Sequence, residues 1–325
     1  MDNLKLTVSS TPHIRSNDSI EKIMGDVIIA LVPASIAGIV FFGYWAAVLI
    51  LISIASCVVF EALYQKATKQ AVTVTDLSAV VTGLLIALNL PSTASWWIPV
   101  VGGFFAIIVA KQVFGGLGQN FINPALAARA FLVASYPSQM TGSAFVPTNF
   151  LLNKGVDAVT YATPLTEMKM SGGEFSVSAD GILNALIGNV GGTIGETCAI
   201  ALIIGGIYLL VKKVISWRIP CAYISTVFIL MLMFGGEPIN AVYHIFIGGL
   251  MLGAFFMATD YASSPVTPKG QIIMGVGCGL ITSVIRLWGG YPEGVSYSIL
   301  LMNLAVPLID RYTKPHIFGE VKKDE

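Results

Sequence analysis

Charge is scarce in this chain. Asp, Glu, Lys and Arg make up 11% of its 325 residues, against about 25% in a soluble domain, which argues against a water-soluble fold. The two signs balance at 18 each, so no basic surplus points to nucleic acid. Histidine is nearly absent. His13, His244 and His316 lie two in the termini and one in a span, none close in sequence to the threonines of the polar loop at 137–192, which leaves a hydrolase triad there without its base. Cysteine is limited to Cys57, Cys198, Cys221 and Cys278, with no CxxC pair and no iron–sulfur spacing. These four read as small buried hydrophobes; one of them donated to a cluster shared with another subunit stays open. No GxGxxG opens a strand–helix unit, so no dinucleotide fold is indicated. The first 22 residues are polar and lack an apolar core with a small-residue cleavage site, so no cleavable signal peptide is expected.

Apolar sequence is what remains. Hydrophobic residues are 55% and mean hydropathy is +0.79. Several runs reach about 18 apolar residues, enough to span a bilayer. The pattern predicts an all-α polytopic membrane protein with ten spans near 23–42, 46–64, 73–90, 96–114, 123–136, 193–211, 219–235, 240–258, 271–288 and 296–310. A polar arm (1–22) precedes them, a polar loop (137–192) divides them five and five, and a charged tail (311–325) follows. With the amino terminus inside, only Lys154 and Lys169 fall on the outer side, while 14 Lys and Arg residues fall inside. The positive-inside rule therefore puts both termini in the cytoplasm of a multi-pass cell-membrane protein and the 137–192 loop outside.

Five is odd, so the blocks 23–136 and 193–310 enter the membrane from opposite sides, as inverted repeats do. In each block the third span meets a polar, proline-containing break, Asn89-Leu-Pro91 and Asp260 to Pro265. The fourth ends in glycines, at 115–118 and 289–290, and the fifth carries asparagine and proline. The third and fifth spans hold about fourteen apolar residues, roughly 21 Å against a hydrocarbon core of about 30 Å. Their broken ends leave backbone groups that a ligand, an ion, water or neighbouring protein must satisfy. Asp76 and Asp260 sit at these breaks. A carboxylate among carbonyl oxygens suits Na⁺ or a proton relay, whereas Thr75-Asp76 also suits a helix cap; both readings stay open. Glu61 and Glu196 lie near span ends, where snorkelling or capping is expected. Asn120, Asn123 and Arg129 follow the fourth span. Asparagine amides offer donors and acceptors to a flavin edge or quinone carbonyl, and an arginine within a span costs about 2.5–3.5 kcal/mol, so it needs a partner.

The polar loop contains Asp157-Ala-Val-Thr160-Tyr161-Ala-Thr163-Pro-Leu165. Pro164 keeps Thr163 out of a preceding helix, and Ala162 leaves its hydroxyl accessible to a modifying enzyme. On these residues alone an ordinary polar loop remains open. The segment resembles the flavinylation motif Asp-x-x-Ser/Thr-Gly-Ala-Thr of the RnfD/NqrB family of membrane subunits, with Tyr161 in place of the usual glycine. Gly115-Gly-Leu-Gly-Gln-Asn120-Phe-Ile-Asn123-Pro-Ala-Leu-Ala-Ala-Arg129 and Met257-Ala-Thr-Asp260-Tyr-Ala-Ser-Ser-Pro265-Val-Thr-Pro-Lys269-Gly are similar to two further family segments. The length, with short termini, looks more like RnfD than NqrB. The resemblance implies a subunit of an ion-translocating oxidoreductase that passes electrons between ferredoxin and NAD and couples this to Na⁺ or H⁺ movement. It implies FMN held by a phosphoester on Thr163, with Asp157 and Thr160 completing the motif read by a flavin transferase. Partners would include an outward-facing FMN subunit and iron–sulfur subunits. Asn120, Asn123 and Arg129 would be candidates for a second, non-covalent flavin such as riboflavin. On architecture alone, inverted five-helix halves with broken helices also suit a urea-channel-like solute channel or transporter.

Overall fold

The computed structural model describes residues 18–141, 163–170, 179–235 and 237–315. Helices α1 (Ile20–Phe42) and α2 (Tyr44–Ala67) meet at Gly43, whose φ of 82° ends the first. The short α3 (Ser78–Leu88) follows. Helix α4 (Trp97–Phe104) runs on through a π-helical turn (Phe105–Val109), and α5 (Pro124–Ser135) leads to a single turn, α6 (Pro137–Met140). Two helices of the central loop come next, α7 (Pro164–Met170) and α8 (Ala179–Ile187). The second set is α9 (Ala199–Val211), α10 (Arg218–Phe234), α11 (Pro238–Phe246), α12 (Leu250–Leu252, continued by a π turn, Gly253–Met257), α13 (Pro268–Trp288) and α14 (Val295–Tyr312). Among the described residues there is no strand, only one isolated bridge between Pro91 and Thr193.

All ten predicted spans are helical, and the fold is the expected all-α membrane bundle. Four helices are long and apolar enough to cross alone: α1, α2, α4 with its continuation to Phe114, and α13. Helix α11 and the stretch Leu250–Met257 are together long and apolar enough to cross, with a bend of 61° at the break between them. At 11 and 12 residues, α3 and α5 are only about 17 Å long, short of a hydrocarbon core of about 30 Å. The Asn-Pro and Thr-Pro pairs in the sequence prove to be helix starts. Asn123 caps α5 by accepting from Ala125 N (3.0 Å) and Leu126 N (3.3 Å), and Thr267 caps α13 through Gly270 N (3.1 Å).

The packing scheme repeats. In each block the second helix lies against the third and fourth, and the fifth lies against the fourth. Across the blocks α1 faces α9 and α5 faces α14, each element against its own counterpart. The third span of each block is interrupted just before its inner helix by a residue in the left-handed region, Leu77 (φ 62°) and Gly248 (φ 68°). Near the end of the fourth span a basic side chain reaches this interruption in both blocks. Lys111 donates to Ser78 Oγ (2.6 Å), and Arg286 donates to His244 O (2.6 Å) and Ile247 O (3.3 Å).

The broken ends are satisfied by protein, chiefly by the opposite block. Gly195 N donates to Leu88 O (2.8 Å) and Ile194 N to Leu90 O (2.9 Å). Asn123 Nδ2 donates to Met257 O (3.2 Å). The Asn303 amide donates to Ser263 O (3.0 Å) and accepts from Asn123 N (3.1 Å). Of the four ways to complete these helices, neighbouring protein is the one found at these ends.

Candidate functional site

Thr163 is the N-cap of α7. Its carbonyl accepts from Thr166 N (2.8 Å) and Glu167 N (3.0 Å), and its hydroxyl accepts from Thr166 N (3.3 Å) and pairs with the Thr166 hydroxyl (2.8 Å). Pro164 occupies the first helical position, where its missing N–H costs nothing. The expected accessible loop is corrected here: Thr163 is 7% exposed. Two contacts press α7 onto the bundle. Leu165 packs with Ala185, Tyr243 and Ile247, and Lys169 Nζ donates to Tyr291 O (2.7 Å) and Ile285 O (3.3 Å) at the end of α13. Asp157 and Thr160 lie outside the described residues.

Thr163 opens onto a cleft lined by Arg129, Val133, Met140, Tyr291, Glu293 and Tyr297 among others. Small-molecule sites usually have apolar and aromatic walls with a few fixed polar groups. The tyrosine ring centroids are 5.4 Å apart. The chemistry of this wall, two aromatic rings beside a guanidinium, suits a planar aromatic group joined to the Thr163 oxygen. On its other side Thr163 lines a narrow pocket with Glu196, Thr197, Gly248 and Glu293, with room for about one water molecule.

Arg129 stands between these two spaces. Its guanidinium holds Glu196 (3.0 Å) and Glu293 and donates to Asn89 Oδ1 (2.7 Å). The partner that an intramembrane arginine requires is therefore a pair of glutamates, 67 and 164 residues away. Glu196 is not snorkelling. Gly248 and Gly249 form the floor beneath these charges. A Cβ at 248 would lie 3.2 Å from Arg286 Nη2 and 3.3 Å from Glu293 Oε1, and one at 249 would lie 2.7 Å from Glu196 Oε1. Only a bare backbone fits there.

The expected Asn120/Asn123/Arg129 cluster is split. Asn123 ends the coil before α5, whereas Arg129 is six residues further on, about 9 Å up the axis, and points to the Thr163 side. Asn120 and Asn123 line a different cavity with Lys111, Phe255, Asp260 and Tyr261. Asp76 and Asp260 share the vestibule beside it. Asp76 also caps α3 through Ser78 N (2.8 Å) and Ser78 Oγ (2.6 Å), and Asp260 accepts from Ser263 Oγ (2.8 Å). Glu61 is another correction. It is 1% exposed and paired with Lys111 (2.8 Å), itself 2% exposed, and Gln112 donates to the same oxygen (2.6 Å). The cysteines form no disulfide; Cys57 and Cys278 are buried, Cys198 is half-buried and Cys221 is exposed.

Sequence reading missed Glu293, Arg286 and the Glu61–Lys111 pair. The available signal was arithmetic: each basic residue inside an apolar span demands an acid, and the chain offers few.

Residues 7–319 match the NQR2, RnfD, RnfE family. The chain is similar to a subunit of the Na(+)-translocating ferredoxin:NAD(+) oxidoreductase complex of Acetobacterium woodii, at 57% identity over 323 residues, covering 99% of this chain and 98% of that protein. It is similar to a subunit of the proton-translocating ferredoxin:NAD(+) oxidoreductase complex of Clostridium ljungdahlii, at 46% identity over 96% of both. It is also similar to a subunit of the ion-translocating oxidoreductase complex of Aliivibrio salmonicida, at 36% identity over 97% of this chain and 99% of that one. With a family match along nearly its whole length and these full-length relatives, the chain belongs to the NQR2, RnfD, RnfE family.

Proposed function

We propose that this chain is the membrane flavoprotein subunit of an Rnf-type complex, which passes electrons between ferredoxin and NAD and couples them to Na⁺ or H⁺ translocation. FMN is held by a phosphoester to Thr163, installed by a flavin transferase that reads the segment from Asp157 through Thr160. The observation that carries this is the placement of the Thr163 oxygen. It is buried, fixed by a helix cap, and opens onto a cleft lined by Arg129, Tyr291 and Tyr297.

Bound FMN supplies one- and two-electron chemistry. The chain's own residues do the rest. Thr163 tethers, Lys169 and Leu165 hold α7 in place, Tyr291 and Tyr297 offer ring faces, and Arg129 fixes the charge at the cavity wall. The second cavity suits a non-covalent flavin such as riboflavin, with Asn120 and Asn123 supplying amides. Both cavities border α5. Their nearest lining residues on it, Ala125 and Arg129, are about 6 Å apart along the axis, a short path for an electron. The Thr163 end faces outside and exchanges electrons with an outward-facing flavin subunit. The termini and the Asp76/Asp260 vestibule face the cytoplasm, where iron–sulfur subunits dock.

The test is mass spectrometry of the Thr163 peptide from protein made alongside the transferase. FMN mass on that peptide, and a flavin-fluorescent band on a denaturing gel that Thr163→Ala removes, are expected. An unmodified Thr163 overturns the assignment. Flavin-free protein that passes solute in liposomes would instead make it a channel.

A further inference from the structure

The Arg129 cluster holds more than the tether needs. Two cations, Arg129 and Arg286, and two anions, Glu196 and Glu293, surround the Gly248–Gly249 floor, so the formal charges cancel. Both glutamates and Thr163 line the narrow one-water pocket. Thr197 lines it too; it is 1% exposed, and among the described residues its hydroxyl oxygen has no hydrogen-bond partner. A buried orphan hydroxyl beside two carboxylates calls for an occupant that both donates and accepts. A metal cation would leave a buried net positive charge, whereas a water molecule or a water carrying a proton satisfies the oxygens.

We infer that the Glu196–Glu293 pair is a proton-loading site that answers negative charge arriving on the group at Thr163. The inference rests on the assignment of FMN to Thr163. Like charge at close range in a dry site raises the proton affinity of a carboxylate by roughly tenfold or more. One electron delivered to the flavin adds one negative charge. One proton from the aqueous phase then converts one of the two carboxylates to the acid, and the total returns to its former value. Reoxidation removes the electron and releases the proton. Both carboxylates are held by the one Arg129 guanidinium and line the same pocket, so a proton loaded there belongs to the pair. Arg129, Arg286, Lys169, His244, Tyr291 and Tyr297 are the other charged or titratable groups around the pair. Arg129, Arg286 and Lys169 already carry their protons as cations, and the tyrosines are neutral donors. His244 is buried beside the Arg286 guanidinium, which opposes a second positive charge there. The glutamates are therefore the groups free to load.

The test is infrared difference spectroscopy of the purified full-length flavinylated chain, oxidised against dithionite-reduced, in H₂O and D₂O. Expected is a carboxylic-acid C=O band that appears on reduction, shifts in D₂O, and is lost in Glu196→Gln or Glu293→Gln. Reduction of wild type without such a band overturns the inference and leaves the flavin assignment standing, as does a band unchanged in both variants. A Thr163 peptide without flavin overturns both. The wild-type spectrum decides even where a variant folds poorly.

Discussion

Replacing Arg129 with methionine isolates the energetics of the site. The guanidinium is 11% exposed, Glu196 is 3% and Glu293 is 18%. Removing one partner of a buried pair costs about 3–5 kcal/mol, mainly because charge is left stranded. The partial exposure of Glu293 favours the lower end, about 3 kcal/mol. The Tm shift per kcal/mol falls with chain length, to about 1.5 °C per kcal/mol for a chain of 325 residues. R129M should therefore melt about 4 °C below wild type. Removing one cation and one anion together keeps the remaining charges balanced and is close to neutral. The double variant R129M/E196Q leaves Arg286 and Glu293 to offset each other and should therefore recover much of the loss despite carrying two changes. The assay is thermal unfolding of the purified chain in detergent, read by tryptophan fluorescence. An R129M that melts within about 2 °C of wild type, or a double variant that melts below R129M, refutes the account of a desolvated, mutually dependent cluster.

Thr163→Ala removes a cap at a cost of about 1 kcal/mol, so it should insert and assemble while losing all covalent flavin; denaturing-gel fluorescence and detergent gel filtration read the two outcomes. Gly248→Ala puts a Cβ at φ 68° and 2.7 Å from Leu165 Cδ1, so about 1–2 kcal/mol of backbone strain plus displacement of α7 is expected, measured as a lowered Tm with weaker flavinylation. Lys111→Met strands Glu61 and should cost about 3–5 kcal/mol, whereas K111M/E61Q should cost much less; a double variant no better than the single would show that the two residues do not act as a pair.

Much of the architecture was legible because apolar length and break residues are local signals. Ten spans, the five-and-five division and the start of α5 at Asn123-Pro124 all follow from them. Asp76 could be read as a cap from its neighbours alone. The sites were less legible because their partners are remote. Arg129 announced that it needed an acid, but nothing near it in sequence names Glu196 or Glu293. Asn123 and Arg129 looked like one cluster because sequence distance does not show that six residues along a helix separate two cavities. Thr163 looked exposed because the neighbours that bury it, from Met140 to Tyr297, are spread along the chain. The broken spans suggested a central ligand because the backbone that satisfies them arrives from the other block.

That last arrangement bears on biogenesis. The carbonyls of Leu88 and Leu90 find their donors in Gly195 and Ile194, about 100 residues downstream. At about 5–20 residues per second, a nascent chain waits roughly 5–20 s with those carbonyls open inside the bilayer. An early-made bundle of five helices is thus a dependent intermediate, and a ribosome stalled before Gly195 should yield a product that chaperones hold or proteases clear.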